Sequence, residues 1–141
     1  MTLPAGWNIV SELVAFRIDT QIGSGPVYTF AAGESGYRTV TFDRSRPPAA
    51  RGVGAGYWVF LPSATPIDVP AFGPDPSALH VSPGWTMVAS DAGVPLRVIG
   101  ADLVLLYDPL TDTYQSTDQR FDLGGGAWVY SAAGADIRFA P

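Results

Sequence analysis

The chain alternates short runs of β-branched and aromatic residues with turns that contain glycine or proline. Strands are predicted where bulky residues cluster or alternate with polar ones, at Trp7–Ser11, Val27–Phe30, Tyr37–Phe42 and Tyr57–Phe60. The segment from Leu13 to Ile18 is predicted to continue the first strand past a bulge or to form a strand of its own. With 16 Gly and 13 Pro, which disrupt helix interiors, the composition favours short strands over long helices. The pattern therefore predicts an all-β fold.

The strand pattern occurs twice in the chain, with its anchors in the same order. Each anchor of the first copy returns 70 to 78 residues later. The matched segments are Gly6–Ser11 (GWNIVS) with Gly84–Ala89 (GWTMVA), Phe30 and Tyr37 with Tyr107 and Tyr114, Gly54–Phe60 (GAGYWVF) with Gly124–Tyr130 (GGGAWVY), and Ile67–Val69 with Ile137–Phe139. Repetition of similar segments in the same order and at nearly the same spacing is the usual sign of repeated structural units, so we predict an internal duplication.

The duplication predicts the domain organisation. Residues 1–70 and 81–141 would each form a small antiparallel β unit, with residues 71–80 as a proline-rich linker. The offset falls from 77 to 70, which places seven extra residues of the first copy between Tyr37 and Gly54. The two units are expected to fuse into one pseudo-two-fold sandwich or barrel, and the pattern does not decide between them. The four tryptophans (Trp7, Trp58, Trp85 and Trp128) are expected to be mostly buried near a shared core.

Composition and charge narrow the class of protein. Hydrophobic residues make up 47% of the chain and charged residues 15%, which is typical of a globular domain. The net charge is −5 and its excess lies in residues 71–141, which hold three Arg and eight acidic residues, so a nucleic-acid partner is not expected. The absence of cysteine excludes disulfides and zinc–thiolate sites. No apolar run is long enough for a membrane span, so membrane insertion is not expected.

The opening GWNIVS and the later GYWVF together resemble a repeat of bacterial secreted and cell-surface proteins, usually spelled close to GWNLIS followed by GYWV. The resemblance covers nearly the whole chain, twice. It implies a β-rich, non-catalytic module with an extracellular or cell-surface location. The N-terminus shows no secretory signal, so production in the cytoplasm or as part of a virion is an alternative.

Candidate catalytic and metal-binding residues are few. His80 is the only histidine and stands in the predicted linker, where a surface role is the simplest interpretation. A group of aspartates (Asp108, Asp112, Asp118 and Asp122) forms a weak candidate for calcium. Its spacing does not match a calcium-binding loop, and turn formation explains it better. No metal, cofactor or catalytic residue is therefore predicted.

The arginine-rich loop that the second copy lacks is the best predicted partner-binding segment. Arg44, Arg46 and Arg51 lie in it and Arg38 flanks it. Guanidinium groups bind carboxylates and anionic glycans well. The loop could therefore bind a protein partner or the acidic half of a second copy.

Three functional hypotheses follow from the sequence. The first is a structural or adhesive module of a surface, a filament or a virion, which acts through protein–protein contacts or self-association. The second is a carbohydrate-binding module, which needs at least two coplanar, exposed aromatic rings on one face. Its candidate rings are Tyr28, Tyr37, Tyr57, Tyr107 and Tyr114. The third is a hydrolase of unknown type, which needs a deep pocket with His80 or several aspartates.

Overall fold

The computed structural model describes residues 1–23, 25–52, 54–68, 78–92, 95–116 and 125–141. Within these ranges the chain is mostly antiparallel β-strand with one short helix, so the all-β prediction is confirmed. The elements in chain order are β1 (Thr2–Leu3), β2 (Gly6–Ser11), α1 (Glu12–Gln21), β3 (Val27–Thr29), β4 (Arg38–Val40), β5 (Gly54–Leu61), β6 (Thr65–Pro66), β7 (Leu79–Val81), β8 (Gly84–Ala89), β9 (Arg97–Ile99), β10 (Leu103–Asp108), β11 (Thr113–Ser116), β12 (Gly126–Ser131) and β13 (Ala135–Ala140).

The strand predicted at Leu13–Ile18 is wrong, because this segment is part of helix α1. Ser11 caps the helix: its side-chain oxygen accepts a hydrogen bond from the Val14 backbone N–H at 3.2 Å. Glu12 places an acidic side chain in the first turn, and no glycine or proline occurs between Glu12 and Ile22. These helix signals outweigh the β-branched residues that suggested a strand.

The predicted linker also needs a correction at its end. Strand β7 begins at Leu79 and pairs with β13, so Leu79 and His80 belong to a sheet. Residues 71–77 lie outside the described residues.

One large sheet runs through both copies of the sequence pattern. Its strands follow the order β11-β10-β12-β8-β5-β3-β4, and β2 also pairs with β5. Strands β1 and β6 form a two-stranded sheet, and β7, β13 and β9 form a three-stranded one. No helix in the described ranges has the length and apolar character needed to span a membrane.

The strand registers repeat with the offsets found in the sequence. Gly6 pairs with Leu61, and Gly84, 78 residues after Gly6, pairs with Ser131, 70 residues after Leu61. In the same way the pair Tyr28–Trp58 corresponds to the pair Leu105–Trp128. The pairings of β1 with β6 and of β7 with β13 are related likewise: Leu3–Thr65 corresponds to Val81–Ala135. The two halves thus share one pairing pattern, although their common ancestry stays a prediction.

The halves exchange strand contacts at their junction. The first residues of β5 pair with the last residues of β8, through Ala55 and Val88. The equivalent bridge joins Val10 of β2 to Gly125, which precedes β12. Two glycines allow the close approach here: a Cβ on Gly126 would lie 2.7 Å from the Val88 backbone oxygen, and one on Gly56 would lie 3.0 Å from it. The junction therefore joins both halves in one sheet.

Alternating side chains give the sheet two different faces. On one face each half has its own apolar core. The first core includes Val10, Val59 and Ile67 and is covered by α1 through Leu13, Val14 and Ile18. The second includes their counterparts Val88, Val129 and Ile137 and is covered by Leu96 and Val98. The opposite face carries the tryptophans and most tyrosines. Its buried residues are Ile9, Met87 and one of the tryptophans, Trp58.

Candidate binding cleft

Aromatic side chains form a continuous layer on the second face of the sheet. Alternation brings them there from neighbouring strands, because residues two apart on a strand point to the same side. Ring contacts with centroids 4.8 to 6.5 Å apart link eleven rings in one network. The members are Trp7, Tyr28, Phe30, Tyr37, Trp58, Phe60, Trp85, Tyr107, Tyr114, Trp128 and Tyr130. Aromatic packing on this scale adds to the hydrophobic stabilisation of the sheet.

Each half places rings on the other half's tryptophan. Tyr107 of the second half lies edge-on to Trp58 of the first, with ring centroids 4.8 Å apart. The equivalent Phe30 of the first half lies 5.4 Å from Trp128 of the second. A backbone hydrogen bond from the Met87 N–H to the Phe30 carbonyl oxygen, 3.2 Å long, accompanies this second contact. The aromatic layer therefore needs both halves.

A concave cleft opens in this layer with a volume of about 370 Å³. Six aromatic side chains and one carboxylate line it. The lining residues are Trp7, Tyr28, Tyr37, Trp58, Tyr107, Asp112 and Tyr114. Trp58 is 9% exposed, whereas Trp7, Tyr37 and Tyr114 are 39, 56 and 47% exposed. The cleft thus has a buried tryptophan and three tyrosine or tryptophan rings that a ligand in solvent can reach.

Asp112 is the acidic residue of the cleft and has a special backbone conformation. Its φ of 52° lies in the left-handed region, and Asp112 is the one non-glycine residue with positive φ in the described ranges. Its Oδ1 accepts a hydrogen bond of 2.5 Å from the Tyr107 hydroxyl. Burial of Tyr107, together with this bond to Asp112, raises the pKa of Tyr107 to about 12. Tyr107 therefore stays protonated at neutral pH and holds the carboxylate in place.

A second, smaller hollow lies in the other half of the aromatic layer. It has a volume of about 280 Å³, and its lining is apolar except for the tyrosine hydroxyl. The residues are Phe30, Trp85, Leu105, Tyr114 and Trp128. By the repeat offsets, Trp85, Leu105 and Trp128 correspond to Trp7, Tyr28 and Trp58 of the larger cleft. The hollow thus repeats the cleft's tryptophans, but it has leucine where the cleft has Tyr28, and its described lining contains no carboxylate.

Four of the five predicted tyrosines line the cleft together: Tyr28, Tyr37, Tyr107 and Tyr114. The prediction that Tyr57 is one of the exposed rings is wrong. It is 8% exposed and packs in the core beneath α1 on the opposite face, because it is one residue away from Trp58 along β5. Burial of Tyr57 also raises its pKa. Tyr57 therefore has no part in this site.

The expectation that all four tryptophans are buried near a shared core is wrong for Trp7. Only Trp58 is nearly buried, whereas Trp85 and Trp128 are half-buried and Trp7 is 39% exposed. They share the aromatic face and not the interior. The sequence reasoning assigned Trp7 and Trp58 to the core and so missed them as cleft residues. Their strand parity, which opposes that of the buried Val10 and Val59, could have revealed this.

The predicted arginine set is exposed and does not border the cleft. Arg38 forms an ion pair with Glu34 at 3.8 Å, and Arg46 forms one with Asp43 at 3.8 Å. Arg44 is exposed, and the backbone N–H of Arg51 donates to Asp91 Oδ2 at 3.0 Å. Exposed ion pairs of this kind contribute little to stability. A partner for this loop stays a prediction.

The predicted histidine and those predicted aspartates that are described do not come together in a catalytic or metal-binding centre. His80 Nδ1 lies 2.9 Å from Asp136 Oδ1, and both side chains are at least 70% exposed. Asp108 Oδ1 accepts a hydrogen bond from the Leu110 backbone N–H, as is typical of a turn aspartate. Asp118 and Asp122 lie outside the described residues. In the part of the chain that is described, no group of three or more His, Cys, Asp or Glu is placed to hold a metal ion.

A buried polar group that the sequence reasoning missed joins the two halves. Asp91 is 2% exposed and accepts a short hydrogen bond from the Ser11 hydroxyl, besides the bond from Arg51. Asp91 also donates its backbone N–H to the Arg51 carbonyl oxygen at 2.9 Å. A small pocket of about 210 Å³ borders this group. Because the bonds to Ser11 and Arg51 satisfy the carboxylate of Asp91, we interpret this group as structural.

Comparisons with known proteins identify no relative: no protein-family description, curated protein or solved structure matches this chain.

Proposed function

We propose that this domain is a non-catalytic binding module whose ligand site is the aromatic cleft. The observation that carries the proposal is the cleft itself, a concavity of about 370 Å³ lined by six aromatic side chains and a carboxylate. Ligand sites of proteins are typically concave, largely apolar and equipped with a few polar groups. The exposure of Trp7, Tyr37 and Tyr114 on one face gives a ligand direct access to their rings.

A carbohydrate ligand is only partly supported by the ring geometry. The rings are exposed on one face, as stacking on sugars requires. However, neighbouring rings of the cleft are inclined to each other by 46 to 84°. They therefore border a hollow and do not form the coplanar platform expected for a carbohydrate-binding module.

Glycoside hydrolysis is not proposed for this cleft. That reaction ordinarily uses two carboxyl groups on either side of the scissile bond. Asp112 is the only acidic residue that lines the cleft among the described residues.

The test is a pair of variants at equivalent positions of the two halves. Trp7→Ala removes a wall of the cleft, and Trp85→Ala makes the same change in the smaller hollow. Binding to soluble oligosaccharides and to a panel of small organic cations is measured by titration calorimetry for both variants. We expect Trp7→Ala to abolish the binding that the unmodified protein shows and Trp85→Ala to retain it. Equal loss in both, or no binding to either class of ligand, would contradict the proposal.

A second candidate function, a structural or adhesive subunit, is favoured by exposed apolar side chains that are not part of the cleft lining. Leu110 is 82% exposed at the β10–β11 turn, and Leu103 is 48% exposed. Sedimentation analysis of the protein, of Leu110→Ser and of the triple change of Arg44, Arg46 and Arg51 to Ser tests it. Self-association that is reduced by either change supports this function, and a monomer at high concentration counts against it.

A further inference from the structure

We infer that the group which the cleft binds is a quaternary ammonium, as in choline. This inference rests on the proposed function and specifies the ligand class of the same site. Cations are attracted to the faces of tryptophan and tyrosine rings, and quaternary ammonium groups are recognised in proteins by several such rings around one cation. Three properties of the cleft favour this ligand: its charge, the arrangement of its rings and the apolar surface that the rings present.

The charge of the cleft suits a cation. Asp112 supplies the only charged side chain of its described lining, and neither arginine nor histidine is among the lining residues. The half of the chain that contributes Asp112 also holds the excess negative charge, with eight acidic residues against three arginines in residues 71–141. An anionic ligand would be repelled here, whereas a cation gains from both the carboxylate and the rings.

The rings approach the cleft from several directions. Trp7 and Trp58 are nearly perpendicular, at 84°, and Trp58 and Tyr107 are inclined by 81°. Tyr28 and Tyr37 extend the border, with ring centroids 6.4 Å apart. A compact, nearly spherical group can contact several rings in such a hollow at once. A sugar ring stacks through one of its broad faces, and rings inclined to each other in this way do not offer a common plane for that face.

A quaternary ammonium fits the polarity better than a primary amine. The ammonium of lysine carries three N–H donors, each of which needs an acceptor. Besides Asp112, whose Oδ1 already accepts the Tyr107 hydroxyl, the described lining offers only tyrosine hydroxyls as acceptors, which are weaker acceptors than a carboxylate. A trimethylammonium group has no N–H to satisfy and presents apolar methyl groups to the rings. Asp112 then acts through its charge, and Tyr107 is a positioning residue that holds it.

The smaller hollow provides an internal control. It repeats two tryptophans of the cleft, yet it has Leu105 in place of Tyr28, and no carboxylate is among its described lining residues. If aromatic surface alone were sufficient, both hollows would bind the cation. We expect binding only in the cleft with Asp112.

The experiment compares choline chloride with 3,3-dimethyl-1-butanol, which has the same shape but no charge. Both are titrated into the full chain, and binding is followed by tryptophan fluorescence and by NMR of the aromatic protons. We expect choline to bind about tenfold more tightly than the neutral alcohol. Added salt should weaken the binding of choline and leave that of the alcohol unchanged.

Variants locate the site and separate charge from shape. Asp112→Asn should reduce choline affinity severalfold without changing the affinity for the alcohol, and Trp7→Ala should abolish both. Trp85→Ala should leave choline binding unchanged. Thermal unfolding of each variant checks that it is folded. Tyr107→Phe, which keeps the ring and the carboxylate, should weaken choline binding less than Asp112→Asn.

The outcomes distinguish the inference from the proposed function. If choline binds no better than the alcohol while an oligosaccharide or the alcohol binds in a Trp7-dependent way, the cation inference is overturned and the binding module stands. Binding of ethanolamine, the primary-amine counterpart of choline, as tight as that of choline also overturns it. If no ligand of any class depends on Trp7, both proposals are overturned.

Discussion

The segments that follow β2 and β8 show how far the two halves can differ on one strand framework. Residues 12–26 connect β2 to β3, and residues 90–102 connect β8 to β10. The first connection contains helix α1, whereas the second contains strand β9, which pairs with β13. Yet α1 and the β9 region cover corresponding cores, built on Val59 and on Val129. What is equivalent between the halves is the strand framework, and the cover can be either helix or strand.

Local sequence explains the different covers. Ser11 caps α1, while Ala89 stands at the equivalent end of β8 and has no side chain that could cap a helix. The first connection is free of glycine and proline over the helix, whereas the second has Gly93 and Pro95 in its sequence. The strands on either side keep the same registers in both halves. The comparison teaches that the strand pairs, and not the connections, define the repeated unit.

The largest expected effect comes from separating the halves. We predict that a fragment of residues 1–70 does not fold, because it loses the ring of Tyr107 on Trp58 and the pairing of β5 with β8. Circular dichroism and NMR dispersion of the fragment measure this. A fragment with a cooperative unfolding transition would show that the halves are independent domains.

The hydrogen bond between Ser11 and Asp91 should have the next largest effect on stability. The second half has no equivalent bond, because the position that corresponds to Ser11 is Ala89. Asp91→Ala should lower the free energy of unfolding by about 3 kcal/mol, because it leaves the Ser11 hydroxyl and the Arg51 N–H without their buried acceptor. Denaturant unfolding measures it. Asp136→Ala, which changes an exposed aspartate, is the control, and an equal loss in both variants would contradict the prediction.

The two junction glycines test how alike the halves are in packing. Gly126→Ala should cost about 1–3 kcal/mol, since the new methyl group would lie 2.5 Å from Ile9 Cγ2 and 2.7 Å from the Val88 oxygen. Gly56→Ala should cost less, because its nearest atom is 3.0 Å away, and Gly54→Ala least, at 3.7 Å. Thermal unfolding of the three variants gives the order. A reversed order would show that the distances to neighbouring atoms do not set the cost of the added methyl groups at this junction.

The smallest expected effect is on protein stability at alkaline pH. It comes from Tyr107, whose counterpart in the first half is Phe30 and cannot titrate. The pKa of Tyr107 is about 12 in the folded protein, above the ordinary 10.0, because of burial and of Asp112. The folded state therefore holds this proton more tightly, and its stabilising contribution is complete below pH 10 and is lost as the pH rises towards 12. Tyr107→Phe should flatten the fall in stability over this range. Part of the fall should remain, because the pKa values of Tyr57 and Tyr114 are also raised. An unchanged slope in unfolding measurements from pH 9 to pH 12 would contradict this assignment.

Sequence reasoning was most successful where side chains alternate. It predicted the strands around Trp7, Tyr28 and Trp58. Four of its five candidate tyrosines line the cleft, and their part in ligand binding stays a prediction. It failed at Leu13–Ile18, because the capping residue Ser11 outweighed the β propensity of this segment. It also failed at Tyr57, which was grouped with the exposed rings although it points to the opposite side of the sheet from Trp58. It also assigned the tryptophans to the core because large aromatic residues are usually buried.

The sequence by itself determined the strands around the four tryptophans, because alternation and turn residues act between neighbours in the chain. The matching offsets of its anchors also reappear in the strand registers. Only the tertiary structure decided that the face carrying the rings forms a cleft and that Asp112 joins rings from both halves in it. Trp7 and Asp112 are 105 residues apart in the chain, and the pairing of β5 with β8 joins into one sheet the halves that carry them. No local pattern encodes such a contact, since it depends on how distant strands pack.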